Sequence, residues 1–325
     1  MLDPQAEASE LSRREERPEV RVILAAPRGF CAGVRRAIDA VRDALNVHGA
    51  PVYVRRAIVH NLEVVRSLEA EGAIFIEELW EAPEGSVVLF SAHGVAPAIA
   101  ADARRRGHIA YDAVCPLVAK VHREVERHER NGRQLILIGH RGHPEIEGTL
   151  GHLRSAKAFV VNSVAEIADL PMRPDEPTAY AVQTTYSVDD AQEIVEALRT
   201  RFSDLVEPAS SDICYATTNR QAAVREVAAQ ADAIIVAGES FSSNANRLAE
   251  VAALTCPSVQ LVASATDIDW SKLPRNGVIG VTAAASTPET TVQDIIEALS
   301  VRYRVILEEL EAMRELTVFK RLAIA

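Results

Sequence analysis

The chain has 325 residues, with 35 Lys and Arg against 46 Asp and Glu, and a formal net charge of −11. Hydrophobic residues make up 48 % and charged residues 25 %, an ordinary globular composition at a length that allows two or three domains and needs no disulfide staples. The negative balance argues against general nucleic-acid binding, which depends on Lys and Arg neutralising phosphates, yet it leaves room for a small anion held by local dipoles. No apolar run approaches the ~20 residues of a membrane span and no secretory h-region is visible, so the expected compartment is the cytoplasm.

Residues 1–19 are highly charged and lack an apolar period, which predicts a disordered tail. From Arg21 onward the apolar runs RVILAAP, VVLFSA, QLILIGH, AIIVAGE and GVIGVTA alternate with helical patterns. That alternation predicts an α/β protein built of βαβ units with mainly parallel sheets. An internal echo divides the chain into three similar small units, 20–115, 116–212 and 213–300. In RVILAAPRGFCAGVRRAIDAVRDAL an apolar strand and a short turn lead to Cys31, then to a helix with Val34, Ile38, Val41 and Leu45 on one face. The pattern returns around Cys115, with Val118, Val121 and Val125 at helical spacing, and again around Cys214 in SSDICYATTNRQAAVREVAA. Cys256, in LTCPSV, has no such context. The C-terminal stretch 301–325 reads as a tail, and the Leu, Ile and Met spacing in LEELEAMRELTVFKRLAIA predicts a helix or a docking segment.

A thiolate at a helix N-terminus is stabilised by the helix dipole and the free N–H groups of the first turn. Three such sulfurs brought together make a soft-ligand site suited to zinc, copper(I) or an iron–sulfur cluster. Paired C-x₂₋₄-C spacing, the usual mark of structural zinc, does not occur here. The plainer alternative is three small buried residues ahead of helices.

A second echo places polar turns where strands give way to helices, the position at which open α/β sheets collect ligands. His60, His93, His143, Thr184, Ser242, Ser243, Asn244 and Ser286 lie in these turns. Imidazoles and hydroxyls beside free helix N–H groups suit a phosphate, although each Ser or Thr is also an ordinary N-cap. No Walker loop is present. In His143-Pro144-Glu145 an acid stands beside an imidazole, and neighbouring anions would raise its pKa as a proton donor requires.

The segments RGFCAGVRRAI, AIVHN, SAHGV, DAVCPLVAKVH, GHRGHPEIEGT, QTTYSVDD, SDICYATTNRQ, SSNANRL and VTAAASTPE together resemble the 4-hydroxy-3-methylbut-2-enyl diphosphate reductase family of the methylerythritol phosphate route to isoprenoids. The match runs from about Val22 to Leu299. The resemblance implies three α/β units arranged pseudo-three-fold around a four-iron four-sulfur (4Fe-4S) cluster held by Cys31, Cys115 and Cys214. It implies that His60, His93, His143, Ser242, Ser243, Asn244 and Ser286 hold a diphosphate. Thr184 would touch the substrate hydroxyl, with Glu145 delivering protons and His143 sharing the catalytic site. The implied reaction is a reductive dehydroxylation giving isopentenyl and dimethylallyl diphosphates, with ferredoxin or flavodoxin as electron donor. A diverged member acting on another allylic diphosphate, or a non-catalytic redox sensor, are the alternatives. Several positions depart from the family pattern: Arg35, Arg56-Ala57, Phe241, Ala245 and Ala284, the last where glycine is usual.

Overall fold

The computed structural model describes residues 17–154 and 158–325, so nearly all of the predicted 1–19 tail lies outside the described residues. Strand β1 (Glu19–Ala26) leads into helix α1 (Ala32–His48), on which Val34, Ile38 and Val41 are buried as their spacing predicts. Four strands follow: β2 (Val52–Arg55), β3 (Ala73–Ile76), β4 (Val87–Phe90) and β5 (Ile109–Asp112), with α2 (Leu62–Ala70) after β2 and α3 (Pro97–Arg105) after β4. They form a parallel sheet in the order β3-β2-β4-β5.

Helix α4 (Pro116–Arg130) carries the chain to the second parallel sheet, made of β6 (Gln134–Ile138), β7 (Ala158–Val161), β8 (Thr178–Val182) and β9 (Leu205–Val206), in the order β7-β6-β8-β9. Its connecting helices are α5 (Pro144–Gly151), α6 (Val164–Ala168) and α7 (Val188–Arg201). Helix α8 (Tyr215–Ala228) then leads to the third sheet, with β10 (Ala233–Ala237), α9 (Ser243–Ala253), β11 (Val259–Val262), β12 (Gly277–Ala283), α10 (Glu289–Arg302) and β13 (Arg304–Glu311). This sheet runs β11-β10-β12-β1-β13, and every pairing is parallel.

Each sheet therefore repeats one order: second, first, third, fourth. The third sheet adds β1 between its third and fourth strands. Parallel strands flanked by crossover helices are covered on both faces and read as continuous apolar runs. On β1, Val20, Val22 and Leu24 enter one core while Ile23 and Ala25 enter the core on the opposite face. On β6, Ile136 and Ile138 face one core and Leu135 and Leu137 the other.

Two compact units result. One holds the third sheet and comprises the chain up to Phe30 together with Thr218–Leu316; the other holds the first two sheets and comprises Cys31–Thr217 and Thr317–Ala325. Sheet membership differs from the sequential division at 20–115, because β1 belongs to the third sheet. The predicted 301–325 tail, whose Leu, Ile and Met spacing suggested a helix or a docking segment, contains the strand β13. It pairs with β1 along all eight residues, so backbone hydrogen bonding rather than an apolar face sets its conformation. No described helix is long and apolar enough to cross a membrane.

Candidate functional site

The repeated strand order determines where polar turns collect. In each sheet the first and third strands lie side by side with their connections leaving in opposite directions, which opens a crevice at their carboxyl ends. His60 follows β2 and His93 follows β4; His143 follows β6 and Thr184 follows β8; Ser242 follows β10 and Ser286 follows β12. The strand beside the third strand is β5, β9 or, in the third sheet, β1. Cys115, Cys214 and Cys31 follow these three strands and immediately precede α4, α8 and α1. The three cysteine contexts are thus the same structural position, used each time the chain leaves one sheet for the next.

The three sulfurs meet in the unit holding the first two sheets. A Cβ on Gly33, in the first turn of α1, would stand 2.8 Å from the Cys115 sulfur and 3.8 Å from the Cys31 sulfur. Val34 N–H donates to Cys31 Sγ (3.5 Å) and Thr217 N–H to Cys214 Sγ (3.4 Å). Burial pushes the Cys115 thiol up to about 12 and the Cys214 thiol up to about 11, and Cys31 opposes the ionisation of both. The thiols consequently keep their protons at neutral pH unless a cationic group replaces them. Among the described residues, no three His, Cys, Asp or Glu side chains close on one point as a single ion requires. Cys256 stands apart, buried in the core of the third sheet with its thiol near Ala231 O and Ser258 O.

Beside the sulfurs lie Glu145 and Thr184. Cys214 N–H donates to Thr184 O (3.0 Å). Glu145, in the first turn of α5 and 2 % exposed, accepts from Thr184 N–H (2.6 Å) at one oxygen and from the Thr184 hydroxyl (2.8 Å) at the other. Burial raises its pKa to about 7 against the lowering effect of those two bonds. The Thr184 hydroxyl, donating to Glu145, retains oxygen lone pairs for a further donor.

His60, His93 and His143 form a ring cluster, with centroids 4.2 Å apart for the first pair, 5.5 Å for His60 and His143, and 5.9 Å for His93 and His143. Desolvation lowers His60 to about 4 and His143 to about 3; His93 is also well below its ordinary value, from burial and then from its two neighbours. All three are neutral at pH 7. His143 caps α5, and its Nδ1 accepts from Glu145 N–H (3.2 Å), so the ring proton sits on Nε2. That Nε2 is buried with no hydrogen-bond partner, the condition of a donor awaiting a ligand.

The remaining predicted residues lie in the unit of the third sheet. Ser242 caps α9, and Asn244 Oδ1 accepts from Ala285 N–H (2.8 Å), tying the turn after β12 to the first turn of α9. Asn244 Nδ2 is buried without a partner. Ser243 and Ser286 are buried in the same turns. Ala284, where glycine is usual, has no positive φ. Its methyl packs toward Gly238, at which a Cβ would come within 3.1 Å of Ala284 and 2.7 Å of Ala245. The small residue at 238 accommodates both departures. Phe241 is 47 % exposed. Arg56 adopts a left-handed φ of 59° and pairs with Glu147 (2.8 Å), fastening the turn after β2 to α5.

Three residues that matter to this geometry carried no sequence signal: Gly33 in an ordinary helical run, Lys120 on an amphipathic helix, and Asp212 in a serine-rich turn.

Thiols, neutral imidazoles and a buried acid stand at the switch points of open parallel sheets, the place where α/β proteins of this class collect ligands. The chain belongs to the LytB protein family, whose model matches residues 22–300. It is 52 % identical over 298 residues to the 4-hydroxy-3-methylbut-2-enyl diphosphate reductase of Ruegeria pomeroyi, covering 91 % of this chain and 94 % of that one. It is 50 % identical over 301 residues to the reductase of the same name from Methylocella silvestris, covering 92 % and 94 %. Among solved structures, the E-1-hydroxy-2-methyl-but-2-enyl-4-diphosphate reductase of Plasmodium falciparum superposes with a TM-score of 0.88 at 36 % identity, over 94 % of this chain and 96 % of that chain.

Proposed function

We propose that the chain catalyses the reductive dehydroxylation of 4-hydroxy-3-methylbut-2-enyl diphosphate to isopentenyl and dimethylallyl diphosphates. The observation that carries this reading is the meeting of three helix-leading thiols beside the Glu145–Thr184 pair. Family membership and the names of relatives at about half identity support it.

The donor set fits a four-iron four-sulfur cluster. Three sulfurs gather without forming a single-ion site among the described residues, and burial favours the neutral thiols of Cys115 and Cys214 until a cationic group is there to take their place. Cys31, Cys115 and Cys214 would hold the cluster. When bound, the cluster would supply electrons and Lewis acidity beside Thr184 and Glu145.

The chain's own residues supply the rest. Neutral imidazoles at His60, His93 and His143 donate to diphosphate oxygens without the fixed charge of Lys or Arg, the His143 donor being Nε2. The resemblance implies a diphosphate role for Ser242, Ser243, Asn244 and Ser286 as well, all of which lie in turns at the strand ends of the third sheet. Thr184 Oγ1 faces the substrate hydroxyl, and Glu145 gives its proton to that oxygen through Thr184. Loss of the hydroxyl as water, with one hydrogen gained at carbon, consumes two protons and two electrons. The electrons are assigned to ferredoxin or flavodoxin.

Anaerobic iron and sulfide analysis tests the reading. The wild-type protein is expected to be brown with about four irons per chain, to lose the colour in Cys115→Ser, and to oxidise a reduced dye when the hydroxylated diphosphate is added. A protein without iron, or iron content unchanged in Cys115→Ser, would overturn it.

A further inference from the structure

We propose that Lys120 and Asp212 form a positioning pair that holds the Cys214 loop in register with the helix led by Cys115, an inference that rests on the three-cysteine reading of the site. Lys120 lies on α4, a little over one turn beyond Cys115. An ammonium has three N–H donors, and all three of its acceptors lie on consecutive residues of one loop: Ser210 O (2.7 Å), Ser211 O (3.1 Å) and Asp212 Oδ1 (3.0 Å). That loop ends at Cys214.

Asp212 extends the tie to the strand carrying Thr184. Strand β9 has only two residues, Leu205 and Val206, opposite Thr178 and Ala179. Thr178 N–H points to this edge and reaches Asp204 O, and by the period of two Val182 N–H points the same way. No strand residue is left to receive it. Asp212 Oδ2 takes the vacant ladder position, accepting from Val182 N–H at 3.0 Å. The Asp212 side chain is fully buried while that of Lys120 is about a quarter exposed. A buried carboxylate with both oxygens committed resists displacement, because removing either partner leaves an uncompensated group in low dielectric.

Two otherwise independent sulfur positions are thereby made rigid with respect to each other, and Thr184, which accepts from Cys214 N–H, moves with them. Lys120 and Asp212 touch no reacting atom. Their work is to set the distance between sulfurs before any metal arrives, which spares the site the ordering entropy of a mobile loop.

The test is a short alkylation pulse on metal-free, fully reduced protein, read by peptide mass spectrometry at each cysteine. In Lys120→Met, labelling at Cys214 is expected to rise about tenfold relative to Cys31 and Cys115, the signature of local loop opening. Lys120→Arg, which keeps charge and donors, is expected to recover much of the protection. Asp212→Asn gives a second comparison should Lys120→Met fail to fold. After reconstitution, Lys120→Met is expected to yield iron to a chelator faster than wild type and to show an altered paramagnetic resonance spectrum when reduced. An unchanged labelling ratio in the folded variants, or an equal rise at all three cysteines, overturns the pairing role. Failure of the wild-type protein to bind iron and sulfide instead sinks the functional reading and leaves the labelling ratio to be judged separately.

Discussion

Glu145 is held between two opposing influences: burial favours its neutral form, and the two hydrogen bonds from Thr184 favour its charge. The balance near 7 leaves a large protonated fraction at neutral pH, which is the form a proton donor needs. Protonation is complete well below that value and is lost above it, so turnover is expected to fall as pH rises through about 7. Glu145→Gln is expected to keep its iron, to slow the chemical step by about 10²–10⁴-fold and to abolish that alkaline limb. A steady-state pH profile of the two proteins checks this. The histidines behave in the opposite sense. Burial lowers His60 to about 4 and His143 to about 3, so both stay neutral around pH 7 and donate as uncharged imidazoles. Binding of inorganic pyrophosphate just above pH 7 is therefore expected to protonate neither ring, checked by following the imidazole resonances of the wild-type protein in a titration. At this scale the histidines and the acid were legible because unusual residues stood in turns. Lys120 and Asp212 were not, since a lysine on an amphipathic helix and an aspartate among serines match solvated surface equally well.

The elements that matter most are the three helices α1, α4 and α8, each entered through a cysteine. Their strand–cysteine–helix context was readable because a short apolar run and a turn give way, past the cysteine, to a helical pattern. The packing between them was not readable. Gly33 occupies a helical position where alanine is favoured by about 1 kcal/mol, yet its missing methyl leaves room for the Cys115 sulfur. A Cβ there would stand 2.8 Å from that sulfur, so Gly33→Ala is expected to turn Cys115 aside and sharply lower iron per chain after reconstitution, while helix propensity offsets the contact and the melting temperature of the metal-free protein changes by only about a few degrees. A matching fall in both would assign the glycine to folding alone. Strand β13 was missed for a different reason. Its residues are mostly exposed, so no apolar alternation announces it, and only its ladder with β1 makes it a strand.

Across the whole molecule, one strand order is used three times, as the internal echo suggests, and β1 joins the third sheet rather than the first. Its ladder partners begin at Gly277 and Arg304, far beyond the range of local pattern. The C-terminal residues 317–325 follow α1 along its length: Arg36 donates to Lys320 O, Arg321 reaches Asp39 and Asp43, and Ala325 meets Tyr111, which bonds His48. Most of these contacts are exposed ion pairs and hydrogen bonds, individually worth about 1 kcal/mol or less. Deleting 317–325 is therefore expected to lower the melting temperature by only roughly 2–5 °C, a change that differential scanning fluorimetry resolves. A collapse of the fold would show that this segment carries more than its contacts indicate.

The insertion of β1 has a consequence for the newborn polypeptide. The ribosome makes this apolar ribbon well before its neighbours in the ladder, whose pairing begins only at Gly277 and at Arg304. Throughout elongation the early strand waits with both edges unsatisfied, and sequence-distant pairing of this kind is slow and prone to aggregation. The segment leading to Cys31 therefore settles into its final place only after β13 has been made, and loading of the proposed cluster is expected to wait for β13 rather than to follow directly on the synthesis of Cys214.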